Sequence, residues 1–409
     1  MNDKKISLKR LIMCSLPVKT CNLRCSYCYI TSWREWDKKL PDMSLCVSKI
    51  KAALNPERMG GTCLINICAG GETLLSPELA YITRTMLENG HFVMIVTNGT
   101  LTNKIKEFCE FPADLRARLF LKISLHYLEL KRVNKLEEFF SNIDMIKKAG
   151  ISFTVELTPD DIYIPYIPEI KAACMKNLGA LCHVTVPRDE RKVGFPLMTQ
   201  LPREEFYKIW SQFDSDLFKF KWSIFEVKRK EFCYNGEWGF LMDLCTGNYE
   251  QCYCGSHLGN LYRDTNEPLN LIPIGRHCRE GHCFNGHAFL GLGMIPELET
   301  TNFDKQRNRI CVDGSEWLSP EMKKIMSCKL RDSNIEYNDS QKFWLNLKSI
   351  PRNILTLGRR NLMILLRNMY HSLKNFRASR PQIPGNKSLN RTDKYKQEDS
   401  AKKNSFISQ

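Results

Sequence analysis

The feature that most constrains this chain is a rhythm. Over the first two hundred residues, short apolar or β-branched runs alternate with helical patterns. The runs fall at 10–16 (RLIMCSL), 62–68 (TCLINIC), 91–97 (HFVMIVT), 119–125 (LFLKISL), 151–157 (ISFTVEL) and 181–186 (LCHVTV). They read as strands. The stretches 44–54, 77–89, 102–110, 135–149 and 166–178 read as helices. Gly90 and Gly150 stand where helix C-caps belong, and Ser76-Pro77 reads as an N-cap and first-turn pair. Strands alternating with helices argue for parallel pairing through right-handed crossovers. Six units predict an α/β chain with a partial (β/α)6 TIM-like barrel, its functional groups at the C-terminal ends of the strands.

Past residue 200 the texture changes. Residues 203–220 read as one aromatic-rich helix. Residues 230–290 are dense in Cys, Gly and aromatics, a composition that gains from a metal staple. In 340–378, Leu362, Leu365, Leu366, Met369, Leu373 and Phe376 recur at helical spacing beside an arginine face. Beyond Arg380 the chain is Ser/Asn/Lys-rich and reads as a disordered basic tail. The predicted division is a core at 1–200, a small Cys-rich auxiliary domain at 201–300, a helical extension at 301–380 and the tail at 381–409.

The net charge is +15, and residues 331–409 carry sixteen Lys/Arg against six Asp/Glu. The body is nearly balanced and the C-terminal fifth is basic. Such a tail suits an anionic partner or simple solvation. No apolar run approaches the ~18 residues of a membrane span. The start, MNDKKISLKR, lacks the apolar core of a secretory signal. The expected location is cytoplasmic, with a peripheral contact of 340–378 on the inner face of a membrane as a further expectation. Eighteen cysteines in such a chain argue for metal ligation over disulfides.

The densest chemical signal is Cys21-Asn-Leu-Arg-Cys25-Ser-Tyr-Cys28, a C-x3-C-x2-C spacing just after the first strand. Three close thiolates suit a [4Fe–4S] cluster with one iron left open to a ligand. Zinc is the structural alternative, but zinc cysteines usually come as paired C-x2-C units. This triad, with Tyr27 before its last Cys, resembles the signature of radical S-adenosylmethionine (radical SAM) enzymes. The resemblance implies a [4Fe–4S] cluster on Cys21, Cys25 and Cys28, and S-adenosylmethionine bound to the open iron. It implies reductive cleavage to methionine and a 5′-deoxyadenosyl radical that abstracts hydrogen from substrate. It also implies a reductant protein of flavodoxin or ferredoxin type.

Further positions acquire roles through the same resemblance. Gly70-Gly71-Glu72 closes the second strand and matches the segment that holds the amino group of S-adenosylmethionine, with Thr73 where Pro is common. Thr97-Asn98-Gly99 matches a frequent TNG, and Ser124 a polar position near the ribose or carboxylate. His126 shares the face of Ser124 by the period of two. Glu156, polar in an apolar run, is expected to face the lumen and to serve cofactor or substrate. His183 and Arg188 are weaker candidates.

A second cysteine group comprises Cys233, Cys245, Cys252, Cys254, Cys278 and Cys283. Cys233, Gly247 and Cys252 resemble the opening of the SPASM and twitch domains that follow many radical SAM cores, with Thr246-Gly247-Asn248 as a hairpin turn. The later SPASM cysteines are missing. Cys233, Cys252, Cys278 and Cys283 make one four-cysteine site, for an auxiliary [4Fe–4S] cluster or a structural zinc. His257, His277, His282 and His287 could replace a ligand. The remaining cysteines read as buried apolar thiols. The expected substrate is a small polar molecule, a carbohydrate or a peptide; the peptide-binding domain that precedes the barrel in many relatives is not found before residue 10. The alternative is a non-catalytic Fe–S or zinc protein that binds nucleic acid or a membrane surface through its tail. No stacking-aromatic module supports a specific nucleic-acid partner.

Overall fold

The computed structural model describes residues 7–33, 35–253, 255–263, 265–276, 278 and 280–348, with positions 362, 366 and 369. The chain divides into two units, Met1–Ile364 and Leu365–Gln409. All elements named below lie in the first. Cys254, His277 and most of the 349–378 stripe lie outside the described residues, as does the tail at 381–409.

Six parallel strands form in chain order: β1 (Arg10–Leu16), β2 (Cys63–Ala69), β3 (Phe92–Thr97), β4 (Leu119–Leu125), β5 (Ser152–Leu157) and β6 (His183–Val184). The intervening helices include Ser44–Ala53, Leu79–Glu88, Thr102–Cys109, Leu136–Lys148 and Ile167–Leu178. Gly90 and Gly150 follow their helices at φ +86° and +72°. The Ser76-Pro77 expectation is corrected: the helix begins at Leu79, and the Ser76 hydroxyl turns to Glu78 instead. The single helix expected over 203–220 is two, Arg203–Ser211 and Asp216–Ile224. Asp214, at φ 45°, breaks the chain between them, and the Ser215 side chain caps the second.

The period of two sorts each strand. Ile12, Cys14, Ile65, Ile67, Val93, Ile95, Leu121, Ile123 and Val155 pack with the surrounding helices. The other face carries Leu11, Met13, Leu64, Phe92, Met94 and Phe120. These pack with Phe289, Leu292, Met294, Met322 and Ile325 from the C-terminal third. Along β4 that face runs from Phe120 to Lys122 and Ser124, from apolar to polar. The N-terminal end of the strands is therefore plugged, and the polar chemistry gathers at the C-terminal end.

The sheet continues past β1. In the Cys-rich segment, β7 (Gly239–Asp243) pairs in parallel with β1, from Leu11↔Gly239 to Ser15↔Asp243. Two antiparallel strands follow, β8 (Asn248–Glu250) and β9 (His257–Asn260). The full order is β6-β5-β4-β3-β2-β1-β7-β8-β9. Gly247 sits at φ +75° between β7 and β8, and a Cβ there would stand 2.4 Å from the Tyr262 ring. Residues 301–348 are only partly helical. They add the helix Pro320–Ser327 and a helical stretch at 339–348, and the Trp317 carbonyl accepts the Phe153 N–H beside β5. Among the described residues no helix is long and apolar enough to cross a membrane.

Candidate functional site

A cavity of about 360 Å³ opens at the C-terminal ends of the strands. Cys21, Cys25 and Cys28 line it from the loop between β1 and the helix Tyr29–Trp33. That loop is stitched to β2 by main-chain bonds: Gly71 N–H donates to the Val18 carbonyl at 2.6 Å and Glu72 N–H to that of Thr20 at 2.9 Å. A Cβ on Gly71 would fall 1.9 Å from the Thr20 oxygen. The glycine is needed because two stretches of chain meet there. The other side is held by the Arg24 N–H, which donates to Glu129 Oε1 at 2.6 Å, while Arg132 grips the same carboxylate with two nitrogens.

Burial pushes the Cys21 and Cys25 thiols up, and the neighbouring thiols add to the shift. Two donors oppose it at Cys21 Sγ, the Leu23 N–H at 3.4 Å and Asn98 Nδ2 at 3.6 Å. Among the described residues no three side chains already form a closed metal-ligating group. The three thiols are nonetheless mutual neighbours on one wall. A soft thiolate set with N–H donors to its sulfur fits an Fe–S cluster.

Glu72 stands at the same cavity. Thr97 Oγ1 donates to its Oε1 at 2.6 Å, the Leu74 N–H to the same oxygen at 3.0 Å and the Asn98 N–H to its Oε2 at 2.7 Å. Burial raises its pKa, and these three donors pull against that. A buried carboxylate fixed in this way presents negative charge for an ammonium. Gly70, Tyr27, Asn98 and Ser124 also line the cavity. The Tyr27 hydroxyl meets His126 Nδ1 at 2.5 Å, and burial pushes His126 down to about 4, so it is neutral at ordinary pH.

Residues 15–159 match the radical SAM superfamily. The match runs from the end of β1 to just past β5 and contains the triad, Gly70–Glu72, Asn98, Ser124 and Glu156. The segment similar to that superfamily thus coincides with strands that build the cavity. No curated protein matches the chain. Similar solved structures include SuiB of Streptococcus suis bound to S-adenosylmethionine, at 12% identity and TM-score 0.44 over 62% of this chain. The chain spans 63% of SuiB's length. Another is anSMEcpe with bound AdoMet and the Cp18Cys peptide, at 16% identity and TM-score 0.43, over 87% of this chain and 99% of that one. A third is BtrN in complex with AdoMet and 2-DOIA, at 13% identity and TM-score 0.28, over 63% of this chain and 80% of that one.

Glu156, for which the expectation is a lumen-facing residue serving cofactor or substrate, is bound to the Arg307 guanidinium and to Lys122 Nζ at 3.1 Å, and Lys122 lines the cavity. Burial alone would raise the Glu156 pKa, but Arg307, Lys122 and Lys221 together hold it at about 2. His183 is structural: its ring lies between Ser215 Oγ and the Asn308 carbonyl. Arg188 does line the cavity.

Sequence reasoning passed over Lys122, Lys221, Arg307 and the role of His287. Lys122 carried a signal, a cation in an apolar strand two residues before Ser124 and so on its face. Lys221 carried none, being one cation in an aromatic helix.

Cys233, Cys252, Cys278 and Cys283 are electrostatic neighbours. Burial drives Cys283 up, and Cys252, Cys233 and Cys278 each add to it. Cys233 is fixed by paired main-chain bonds with Gly275, and Cys252 follows β8. Cys245 turns instead to Met43. Cys283 lines a small side cavity whose other walls include Arg188, Lys221 and His287, all shared with the main cavity. Cys14, Cys46, Cys63, Cys174, Cys182 and Cys311 are buried thiols, and Cys68, Cys109 and Cys328 are half-buried.

Proposed function

We propose that this chain is a radical SAM enzyme with one auxiliary Fe–S cluster. The observation that carries the reading is the sharing of one cavity by Cys21, Cys25 and Cys28 with the fixed carboxylate of Glu72. Bound there, a [4Fe–4S] cluster and S-adenosylmethionine would supply one-electron reductive cleavage to a 5′-deoxyadenosyl radical, which takes hydrogen from the substrate. Cys21, Cys25 and Cys28 would hold the cluster. Glu72 would accept hydrogen bonds from the methionyl ammonium, with Gly70 beside it. Asn98 positions Cys21 and holds the Asn22 side chain at 2.8 Å. Tyr27, Ile30 and Trp36 supply wall on the side of the triad and limit the access of water. Ser124 and His126, one neutral hydroxyl and one neutral imidazole, offer hydrogen bonds to a ribose or to substrate hydroxyls.

Cys233, Cys252, Cys278 and Cys283 would hold the auxiliary cluster. The electron comes from a flavodoxin- or ferredoxin-type protein. The substrate is a small polar molecule, a carbohydrate or a peptide.

The test is iron content with electron paramagnetic resonance on anaerobically reconstituted protein. Wild type is expected to hold about eight irons, and a Cys21/Cys25/Cys28→Ala variant about four. S-adenosylmethionine is expected to shift the reduced wild-type signal and to leave that of the variant unmoved. Equal iron in both, or zinc alone in the protein, would overturn the reading.

A further inference from the structure

Beyond the positions assigned to S-adenosylmethionine, the cavity wall is cationic. Lys122 from β4, Arg188 after β6 and Lys221 from the helix Asp216–Ile224 all line it. Arg307 is buried beside them, where it interacts with Glu156, Lys221 and His287. Two carboxylates answer these four cations. Glu156 takes Arg307 and Lys122, and Glu190 takes Arg188 at 3.2 Å. Lys221 donates to the Thr185 hydroxyl, and among the described residues it has no ion pair. Two positive charges are left over. His287 lines the same wall, 7% exposed, and its Nδ1 has no hydrogen-bond partner among the described residues.

A half-buried ammonium with no ion pair and an orphaned, buried imidazole nitrogen are both unfavourable in a partly closed cavity. Both costs vanish if an anion sits between them. Burial and the surrounding cations push Lys221 and His287 down, which is the field a dianion would relieve. Arg188, Lys221 and His287 also lie outside the segment matched to the superfamily.

We infer that this wall recognises a phosphate monoester on the substrate, with Lys122, Arg188 and Lys221 donating to its oxygens and His287 Nδ1 hydrogen-bonded beside them. The inference rests on the radical SAM reading only in calling that ligand the substrate. Arg188 offers a planar fork for two oxygens, and the two lysines act as point charges. Arg307 and Glu156 lie behind Lys122 and set its direction.

The test is calorimetric titration of the full, anaerobically reconstituted chain with glycerol 3-phosphate. Lactate and glycerol serve as monoanionic and neutral controls, and S-adenosylmethionine is titrated separately. Glycerol 3-phosphate is expected to bind, lactate to bind at least about tenfold more weakly and glycerol not at all. Added salt is expected to weaken the phosphate binding. Lys221→Met and Arg188→Gln are each expected to weaken it by about 10- to 100-fold and Lys221→Arg to recover most of that, while the affinity for S-adenosylmethionine stays within about twofold. Lys221→Met removes a half-buried cation that has no ion pair among the described residues, so its melting temperature is expected to stay within a few degrees of wild type, which separates lost recognition from lost folding. The inference is overturned if glycerol 3-phosphate does not bind or lactate binds as well. It is also overturned if the variants lose S-adenosylmethionine rather than the phosphate. A wild type that binds the phosphate and not S-adenosylmethionine would sink the enzymatic reading and leave the anion site standing.

Discussion

At the scale of residues, the site is built on buried charge. Glu156 is the clearest case. Its pKa is held at about 2 against an ordinary value near 4.3, so the ionised form stabilises the fold. That stabilisation is present above the unfolded pKa and disappears as the pH falls from about 4 toward 2. Two units correspond to about 3 kcal/mol. Glu156→Gln is expected to cost about 3–5 kcal/mol at pH 7, because Arg307 and Lys122 lose their counter-charge in the interior. Denaturant titrations at several pH values check this: the gap between wild type and variant should narrow as the pH approaches 2. Glu72 behaves differently. Burial raises its pKa, so an ammonium partner is what makes its charge favourable. Glu72→Gln places an amide donor against one of three donors and removes the charge. It is expected to weaken S-adenosylmethionine binding by about 10- to 100-fold, measured by equilibrium dialysis.

At the scale of elements, the cysteine loop owes its position to the end of β2. Gly71→Ala drives a methyl into the Thr20 carbonyl and separates the two segments. The expected result is loss of the triad's iron with only a modest fall in far-ultraviolet helical signal, read by iron assay and circular dichroism. The five central crossovers were legible because each strand and helix carries its own period, and because glycines close the helices before β3 and β5. β6 shrank to two residues because Pro187 lies three positions past it and the chain then turns away. β7 was not legible at all. Its five residues, GFLMD, sit in a segment of cysteines and turns, and only the exposed edge of β1 selects them as a strand. Three of the cations were hidden for a similar reason: Lys122, Lys221 and Arg307 come from separate parts of the chain, and only the fold brings them together with Arg188.

At the scale of the whole molecule, the Cys-rich segment and the barrel share one sheet. β7 fills the edge of β1, and Phe289, Met294, Met322 and Ile325 plug the N-terminal end of the barrel. A chain ending at residue 200 would expose the β1 edge and that apolar face. It is expected to be insoluble or unfolded, whereas a chain ending at residue 348 keeps every described strand and is expected to melt within a few degrees of the full protein. Light scattering and thermal melts check both. The cavity also joins the parts, since the triad and Glu72 come from the matched domain, while Arg188, Lys221, Phe284 and His287 come from beyond it. Radical chemistry and substrate choice would then be divided between the two ends of the same chain. The most direct test is 5′-deoxyadenosine formation from S-adenosylmethionine by the dithionite-reduced, iron-reconstituted protein under anaerobic conditions. Product from wild type and none from the Cys21/Cys25/Cys28→Ala variant is the expected result. A wild type with its full iron and sulfide that forms no 5′-deoxyadenosine, or a triple variant that forms as much, would contradict the account.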